Sequence, residues 1–403
     1  MDRLENTIRP YAWGSRTAIP ALLGAEPSGE PQAELWMGAH PGAPSGIDRG
    51  YTARSLDQVI AADPQGELGA ATVTRFGTTL PFLFKVLAAG EPLSIQVHPH
   101  MDQARAGFAA EEAAGVPMDA HERNYKDPNH KPEMLCALAE FTGVCGFRAP
   151  EQTARLLTRL SVPGLSGVIQ ALRAKPEPKA LREALTMVLT LDQDTVVDLV
   201  ARTRNALLRL AAENPTPPDA SMLRDYAALA DHYPADPGLL SALLLNHMTL
   251  RPGEAVYLGA GVPHAYFHGL GVELMANSDN VLRAGLTPKH IDVPELLRVV
   301  EFEATDPAAI QPVQVAECPG EELYPAPIHE FRLSRYRLGS WPLPTDSPQI
   351  ILCTEGRAVL VDAASEKLTL SRGESCFIAA GGPAVTATRD GSEATIFRAT
   401  VAL

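Results

Sequence analysis

Cysteine is scarce in this chain: 403 residues contain five, Cys136, Cys145, Cys318, Cys353 and Cys376. They are odd in number, widely spread and mostly set in apolar runs. This excludes a CxxC metal motif and a disulfide framework, and leaves reduced, buried thiols. No apolar run is long enough to span a bilayer, and the opening MDRLENTIRPYAWG has no apolar leader region. The expectation is therefore a cytoplasmic protein without a membrane partner. Positive charge is also in short supply, with 34 Lys and Arg against 48 Asp and Glu and a net charge of -14. That balance excludes a general nucleic-acid or anionic-lipid surface, and a monomer is expected. On so acidic a background, any local gathering of Lys and Arg is informative.

What is present is material for a large core: 45% of residues are hydrophobic and 20% charged. The length suggests two or three domains. Residues 1–60 read as irregular and rich in Pro and Gly, with Trp13 and Trp36 expected in or near a core. A short helix is expected over Ser55–Ala62. Leu80–Leu87 (LPFLFKVL) reads as a buried strand interrupted by Lys85, which either reaches the surface or points its ammonium into a cavity. Leu93–Pro99 alternates strictly, so Ile95 and Val97 face one side and Ser94, Gln96 and His98 the other. A helix over Met101–Gly115 follows. Pro128 and Pro132 then keep NYKDPNHKPEM extended, delivering Glu133 to the mouth of the strand Met134–Leu138.

From about residue 150 the period changes to 3.6, with helices expected at Gln152–Leu160, Lys179–Leu191 and Thr195–Ala212 between Pro-bearing breaks at Lys175–Pro178 and Asn214–Pro218. His232 and His247 in this part read as surface or capping residues. A further helix is expected over Glu295–Val300, capped by Asp292. The rest reads as β: Phe331–Leu338, Gln349–Cys353, Ala358–Val361 and Cys376–Ala379, with turns at Glu355-Gly356 and Arg372-Gly373.

One stretch concentrates the chemistry. Leu250–Lys289 begins with a turn at Pro252-Gly253, a strand over Ala255–Leu258 and a second turn at Gly259–Gly261, which places His264 at a strand mouth. Small β-barrels put residues that face a ligand at such mouths. Downstream lie Glu273, Ser278, Asp279, Asn280, Arg283 and Lys289, more charge than a structural hairpin needs. The same turn-strand-turn unit recurs 120 residues later, Leu370 standing for Leu250, but Ala384 takes the place of His264. A second metal site in the later copy is not expected.

Gln96, His98, Glu133 and His264 make a mixed set of two imidazoles, a carboxylate and an amide oxygen. Such a set suits a borderline divalent ion, zinc first, with iron, cobalt or manganese as alternatives. His130 and Lys131, beside Glu133, are candidates for proton transfer.

The segments LSIQVHP, NYKDPNHKPEM, GAGVPHAYFHG and SDNVLRAGLTPK, in this order and preceded by IRPYAWG and ELWMGAHPGAPS, resemble the type I phosphomannose isomerases of the cupin superfamily. The resemblance implies a mainly β fold with a helical insertion: a cupin-type jelly-roll catalytic domain (1–150 and 250–310), an α-helical domain (151–249) and a degenerate C-terminal cupin domain (311–403). It also implies one zinc ion per chain on Gln96, His98, Glu133 and His264, and interconversion of mannose 6-phosphate and fructose 6-phosphate through an enediol. Arg283, Lys131, Glu273, His130 and Asp279 are then the candidates for catalysis, while Lys85 and Ser94 would hold the phosphate and Tyr266 would line the cavity. His100 departs from the acidic residue common in the family and reads as a surface change. An iron-dependent cupin oxygenase is disfavoured by Gln96 and the Lys/Arg cluster. A non-catalytic sugar-phosphate binder is disfavoured by the intact set of acid and base candidates.

Overall fold

The computed structural model describes residues 1–49, 53–213, 215–216, 218–318, 320–337 and 339–403. Asn214, Pro217 and Leu338, which fall within the expected breaks and strands, lie outside these residues. Strand and helix take nearly equal shares, 31% and 30%. The fold is therefore sheet-rich with a large helical part, rather than mainly β.

Two sheets organise the molecule, one of ten strands and one of eleven. The ten-stranded sheet is built around the long strand His264–Ala276. Its first part pairs with Gln96–Val97 and Phe141–Phe147, and its second with Phe82–Ala89 and Glu133–Ala137. The change of partners follows a register shift between Tyr266 and His268 and comes at Gly269, whose φ of +139° only glycine adopts readily. One strand thus brings both ends of its own sequence to a common interior.

Strict alternation on Phe82–Ala89 decides which side chains enter that interior. Phe82, Phe84, Val86 and Ala88 join Met134, Cys136, Val272 and Leu274 in a core shared with Ile350, Leu352, Phe377 and Phe397 of the eleven-stranded sheet. Lys85 is left on the opposite face, beside Leu87 and Ala89, which pack in the inner cluster with Leu135 and Tyr266. Of the strand expected over Leu93–Pro99, only Gln96–Val97 forms a ladder, yet its alternation holds: Ile95 and Val97 are buried on one side while Ser94 and Gln96 line the cavity.

Besides shorter helices such as Leu56–Ala62, Met101–Ala113 and Val293–Val299, a continuous helical part runs from Pro150–Leu160 to Gly238–Leu243 and includes the 21-residue Gln193–Glu213. Leu156, Leu157 and Leu160 of the first and Leu199, Leu207 and Leu210 of the longest recur at helical spacing, and their core is continuous with Val97, Val144, Ala265 and Phe267 of the sheet. The helical part therefore covers the sheet behind the cavity. His247, expected at the surface, instead pairs with Asp225 at 2.7 Å with its side chain only 8% exposed, because its strand, Leu245–Leu250, lies under the helices.

Residues 1–60 are less irregular than their composition suggests. Asp2–Glu5 pairs with Ser375–Ile378 in the eleven-stranded sheet, and Glu34–Met37 lies beside Phe82–Ala89. The turn expected at Glu355-Gly356 is not formed. Gln349–Asp362 runs through it as one strand, with register shifts on either side and Gly356 at φ +67° as a bulge. All five cysteines are free and buried.

The internal repeat is visible in the backbone. Gly253 and Gly373 have φ of +89° and +84°. The Gly253 N–H donates to Ala137 O at 2.8 Å and the Gly373 N–H to Cys353 O at 2.7 Å. Glu254 accepts from Arg251 N at 2.8 Å and Glu374 from Ser371 N at 2.6 Å. Each copy closes its turn with the same glycine and the same carboxylate.

Candidate metal centre

Register places the polar residues in rows. His264 is opposite Gln96, and Gln96 is opposite Arg283, so three neighbouring strands send these side chains to one face. A second row runs Trp36, Lys85, Glu273. Both rows face a cavity of about 740 Å³ that also admits Ser94, Lys131, Glu133, Tyr266, Asp279 and Lys289.

At one end of the cavity Glu133 stands between two imidazoles. Its Oε1 is 3.4 Å from His98 Nε2 and its Oε2 is 3.4 Å from His264 Nε2. The ring centroids of the two histidines are 5.0 Å apart. His98 Nδ1 donates to Asn280 O at 2.9 Å and His264 Nδ1 to Val262 O at 3.0 Å, which leaves both Nε2 lone pairs turned toward the carboxylate. His98 Nε2 is buried and has no hydrogen-bond partner. Burial pushes the His98 pKa down to about 4, against the pull of Glu133, so its imidazole is neutral. An orphaned lone pair of this kind, facing a buried carboxylate, fits a cation. Two ligands held about 2.1 Å from one ion at tetrahedral angles stand about 3.4 Å apart, and that is the spacing observed. His98, Glu133 and His264 form a group able to hold a metal, and Gln96 lines the same cavity.

Deeper in the cavity lies a chain of buried polar groups. Lys85 Nζ is 3.0 Å from Glu34 Oε1 and 2.6 Å from Glu273 Oε2. Trp36 Nε1 donates to Glu34 Oε2 at 2.7 Å, and the Tyr266 hydroxyl to Glu273 Oε1 at 2.9 Å. Burial alone would lower the Lys85 pKa, but Glu273 and Glu34 hold it above the usual range. Burial, with the neighbouring Glu133 and Glu34, pushes Glu273 up against the pull of Lys85. Lys131 Nζ lies 3.4 Å from Glu133 Oε1.

The remaining cations are placed differently. Arg283 is lowered by burial alone, and Lys289 by burial and then by Arg283 and Lys126. Neither forms an ion pair among the described residues, which leaves uncompensated positive charge on the cavity wall, the arrangement an anionic ligand would relieve.

Most of the expected site residues meet here, with two differences. His130 lies outside the cavity lining: its Nε2 is bound to Glu330 Oε1 at 2.7 Å. Asp279 reaches only the rim, 57% exposed and 3.7 Å from His40. Tyr266 lines the cavity as expected, and Trp36 is part of its wall rather than plain core. His232 closes the last turn of its helix near Glu91 and also touches the rim. His100 is at the surface, paired with Glu301 at 2.7 Å. Sequence reasoning alone does not single out Glu34 as a site residue, and marks Lys289 only as part of the charge gathered after His264. The one signal for Glu34 is a carboxylate two residues before Trp36 in the apolar ELWM.

Fold and site together define a sheet-built metal centre in a cavity with spare positive charge. The type I phosphomannose isomerase catalytic domain matches residues 1–150, which carry Gln96, His98 and Glu133. The mannose-6-phosphate isomerase of Escherichia coli K12 is 43% identical over 98% of this chain and 99% of its own, and that of Bos taurus 35% identical over 94% and 93%. A crystal structure of mannose 6-phosphate isomerase from Salmonella typhimurium, bound to its substrate and to zinc, superimposes with a TM-score of 0.88 at 40% identity over the whole of both chains. The chain belongs to the mannose-6-phosphate isomerase family.

Proposed function

We infer that this protein is a metal-dependent aldose-ketose isomerase that interconverts mannose 6-phosphate and fructose 6-phosphate. The observation that carries the reading is Glu133 held between two inward-facing Nε2 atoms at 3.4 Å, in a cavity whose wall bears uncompensated Arg283 and Lys289. His98, Glu133, His264 and Gln96 would hold one zinc ion, as the Salmonella relative holds zinc. When bound, the ion supplies Lewis-acid polarisation of the sugar's C1 and C2 oxygens.

The protein's own groups do the rest. A proton moves between C2 and C1 through an enediol, so the cavity needs a group that accepts and returns it, and a donor for the developing oxyanion. Glu273, with its pKa raised and its carboxylate fixed by Lys85 and Tyr266, and Lys131 beside Glu133 are the proton carriers. Arg283, in the same row as Gln96 and His264, faces the enediolate oxygens. The phosphate lies against Lys289 with Ser94, at the end of the cavity where positive charge is unpaired. Lys85 is already shared by two carboxylates and orients Glu273 instead of clamping a dianion. Asp279 acts at the rim, in ring opening, and His130 is outside the proton path.

The finer architecture belongs to the same reading: a cupin-type catalytic domain (1–150 and 250–310), a helical domain (151–249) and a degenerate C-terminal cupin domain (311–403), with the protein a cytoplasmic monomer. The repeated turn chemistry and the separate inner clusters of the two sheets support the paired barrels. Among the described residues no helix is long and apolar enough to cross a membrane.

The test is a coupled assay of mannose 6-phosphate conversion before and after chelation and zinc return, with His264→Ala as control. Turnover that disappears with the metal, returns with zinc and is absent in the variant is expected. One zinc bound per chain with no turnover would remove the substrate assignment.

A further inference from the structure

A second cavity, of about 940 Å³, opens where the two copies of the repeat meet. Each copy sends equivalent backbone to it. The turn Pro252-Gly253 of the first copy and Arg372 of the second line it, each beside the segment its turn packs on, residues 137–139 and residues 354–356. These are the segments tied by the matching Gly253–Ala137 and Gly373–Cys353 hydrogen bonds. The walls differ in chemistry. Ala137, Leu138, Pro252 and Leu270 make the first copy's side apolar. The second copy's side carries Arg335, Arg337, Arg372 and Arg389 with two carboxylates, Glu355 and Glu393.

Four guanidinium groups around one cleft stand out on a chain of net charge -14. Arg335 is held in place by Glu322 at 2.6 Å. Arg337 and Arg372 are exposed and form no ion pair among the described residues. Arg335 and Arg337 project from the same face of one strand, about 7 Å apart along it, and Arg389 and Arg372 come from other elements. That spread is wider than a single phosphate group and suits linked phosphates gripped by separate guanidiniums. The apolar wall offers a surface for a ring, and Glu355 and Glu393 are acceptors for sugar hydroxyls.

We propose that this cleft binds a nucleoside diphosphate, free or as its sugar ester, at a site separate from the metal centre. The cleft also lies on the strands of the metal site. Leu270 is three residues from Glu273 on one, and Ala137 four residues from Glu133 on the other. A ligand there bears on elements that position both carboxylates. The proposal does not depend on the isomerase reading.

The test is calorimetric titration of the zinc-loaded full chain with UDP, UDP-glucose and inorganic pyrophosphate. It compares the wild type with two double variants, Arg337→Ala/Arg372→Ala in the cleft and Arg283→Ala/Lys289→Ala in the metal cavity. The expected result is one UDP per chain, with affinity kept in the metal-cavity variant and weakened at least about tenfold in the cleft variant. Pyrophosphate should bind about tenfold more weakly than UDP for want of the ring. The cleft variant should turn over substrate at the wild-type rate, since neither arginine touches the metal cavity. UDP-glucose binding tighter than UDP assigns the sugar ester, and the reverse assigns the free diphosphate; either supports the site. No binding at millimolar UDP, loss confined to the metal-cavity variant, or pyrophosphate binding as tightly as UDP would overturn the proposal.

Discussion

Replacing Glu34 by Gln tests whether the buried chain Trp36–Glu34–Lys85–Glu273 stabilises the cavity as the geometry indicates. At 3.0 Å the Lys85–Glu34 pair has a gross attraction of about 5 kcal/mol at an effective dielectric of about 20. Most of that offsets the cost of taking the carboxylate out of water. The neutral amide recovers that desolvation but has one acceptor where Glu34 uses two, Oε1 for Lys85 and Oε2 for Trp36 Nε1. One donor is left facing an NH₂ group, and the charge-assisted bond to Lys85 becomes an ordinary one, for a net loss of about 3 kcal/mol. In a chain of this length that is a fall in Tm of about 3–6 °C. Removing Glu34 also removes one of the charges that push Glu273 up, so the acidic limb of kcat/KM against pH should move to lower pH. Thermal melting of the metal-free proteins and pH-rate profiles of the zinc-loaded ones measure the two effects. An unchanged Tm, or an acidic limb moved to higher pH, would refute the reasoning.

Further outcomes follow from the same structure. Arg283→Ala should lower kcat about 100-fold or more while metal content stays at one ion per chain, whereas Lys289→Ala should act mainly on KM; steady-state kinetics with metal analysis separates the two. His130 holds Glu330 down at about 2 from the ordinary 4.5. A lowered carboxyl pKa stabilises the fold above the ordinary value, and that contribution is lost as pH falls from 4.5 toward 2. Glu330→Gln should therefore unfold more easily than wild type at neutral pH and match it near pH 2, as acid titration followed by circular dichroism would show. Gly253→Ala should cost about 1–2 kcal/mol, since a φ of +89° strains any side chain and the Arg335 guanidinium occupies the space; denaturant unfolding measures it.

Much of the site could be read before the fold because the signals were local. Alternation put Gln96 and His98 on one face of their strand. The flanking prolines kept Glu133 out of a helix, and the glycine-bracketed turn set His264 at a strand mouth. The helices were legible for the same reason, since a 3.6-residue period spans many positions. The turn at Glu355-Gly356 misled because a glycine marks a bulge as readily as a reversal, and only pairing with Val385–Thr400 decides between them. His130 misled because its neighbours in sequence, Lys131 and Glu133, face the cavity while its own ring turns to Glu330, 200 residues on.

By itself the sequence determined which residue types were available for chemistry, which face of each strand they would occupy and that the turn unit was built twice. These depend on backbone periodicity and on glycine's freedom at positive φ, properties of a few neighbouring residues. Only the tertiary structure decided which charges were already compensated. Lys85 meets Glu34 from 51 residues away and Glu273 from a third strand, while Arg283 and Lys289 stand on the cavity wall with no carboxylate partner among the described residues. Coulomb energy depends on distance through space, and chain folding sets that distance without regard to separation along the sequence.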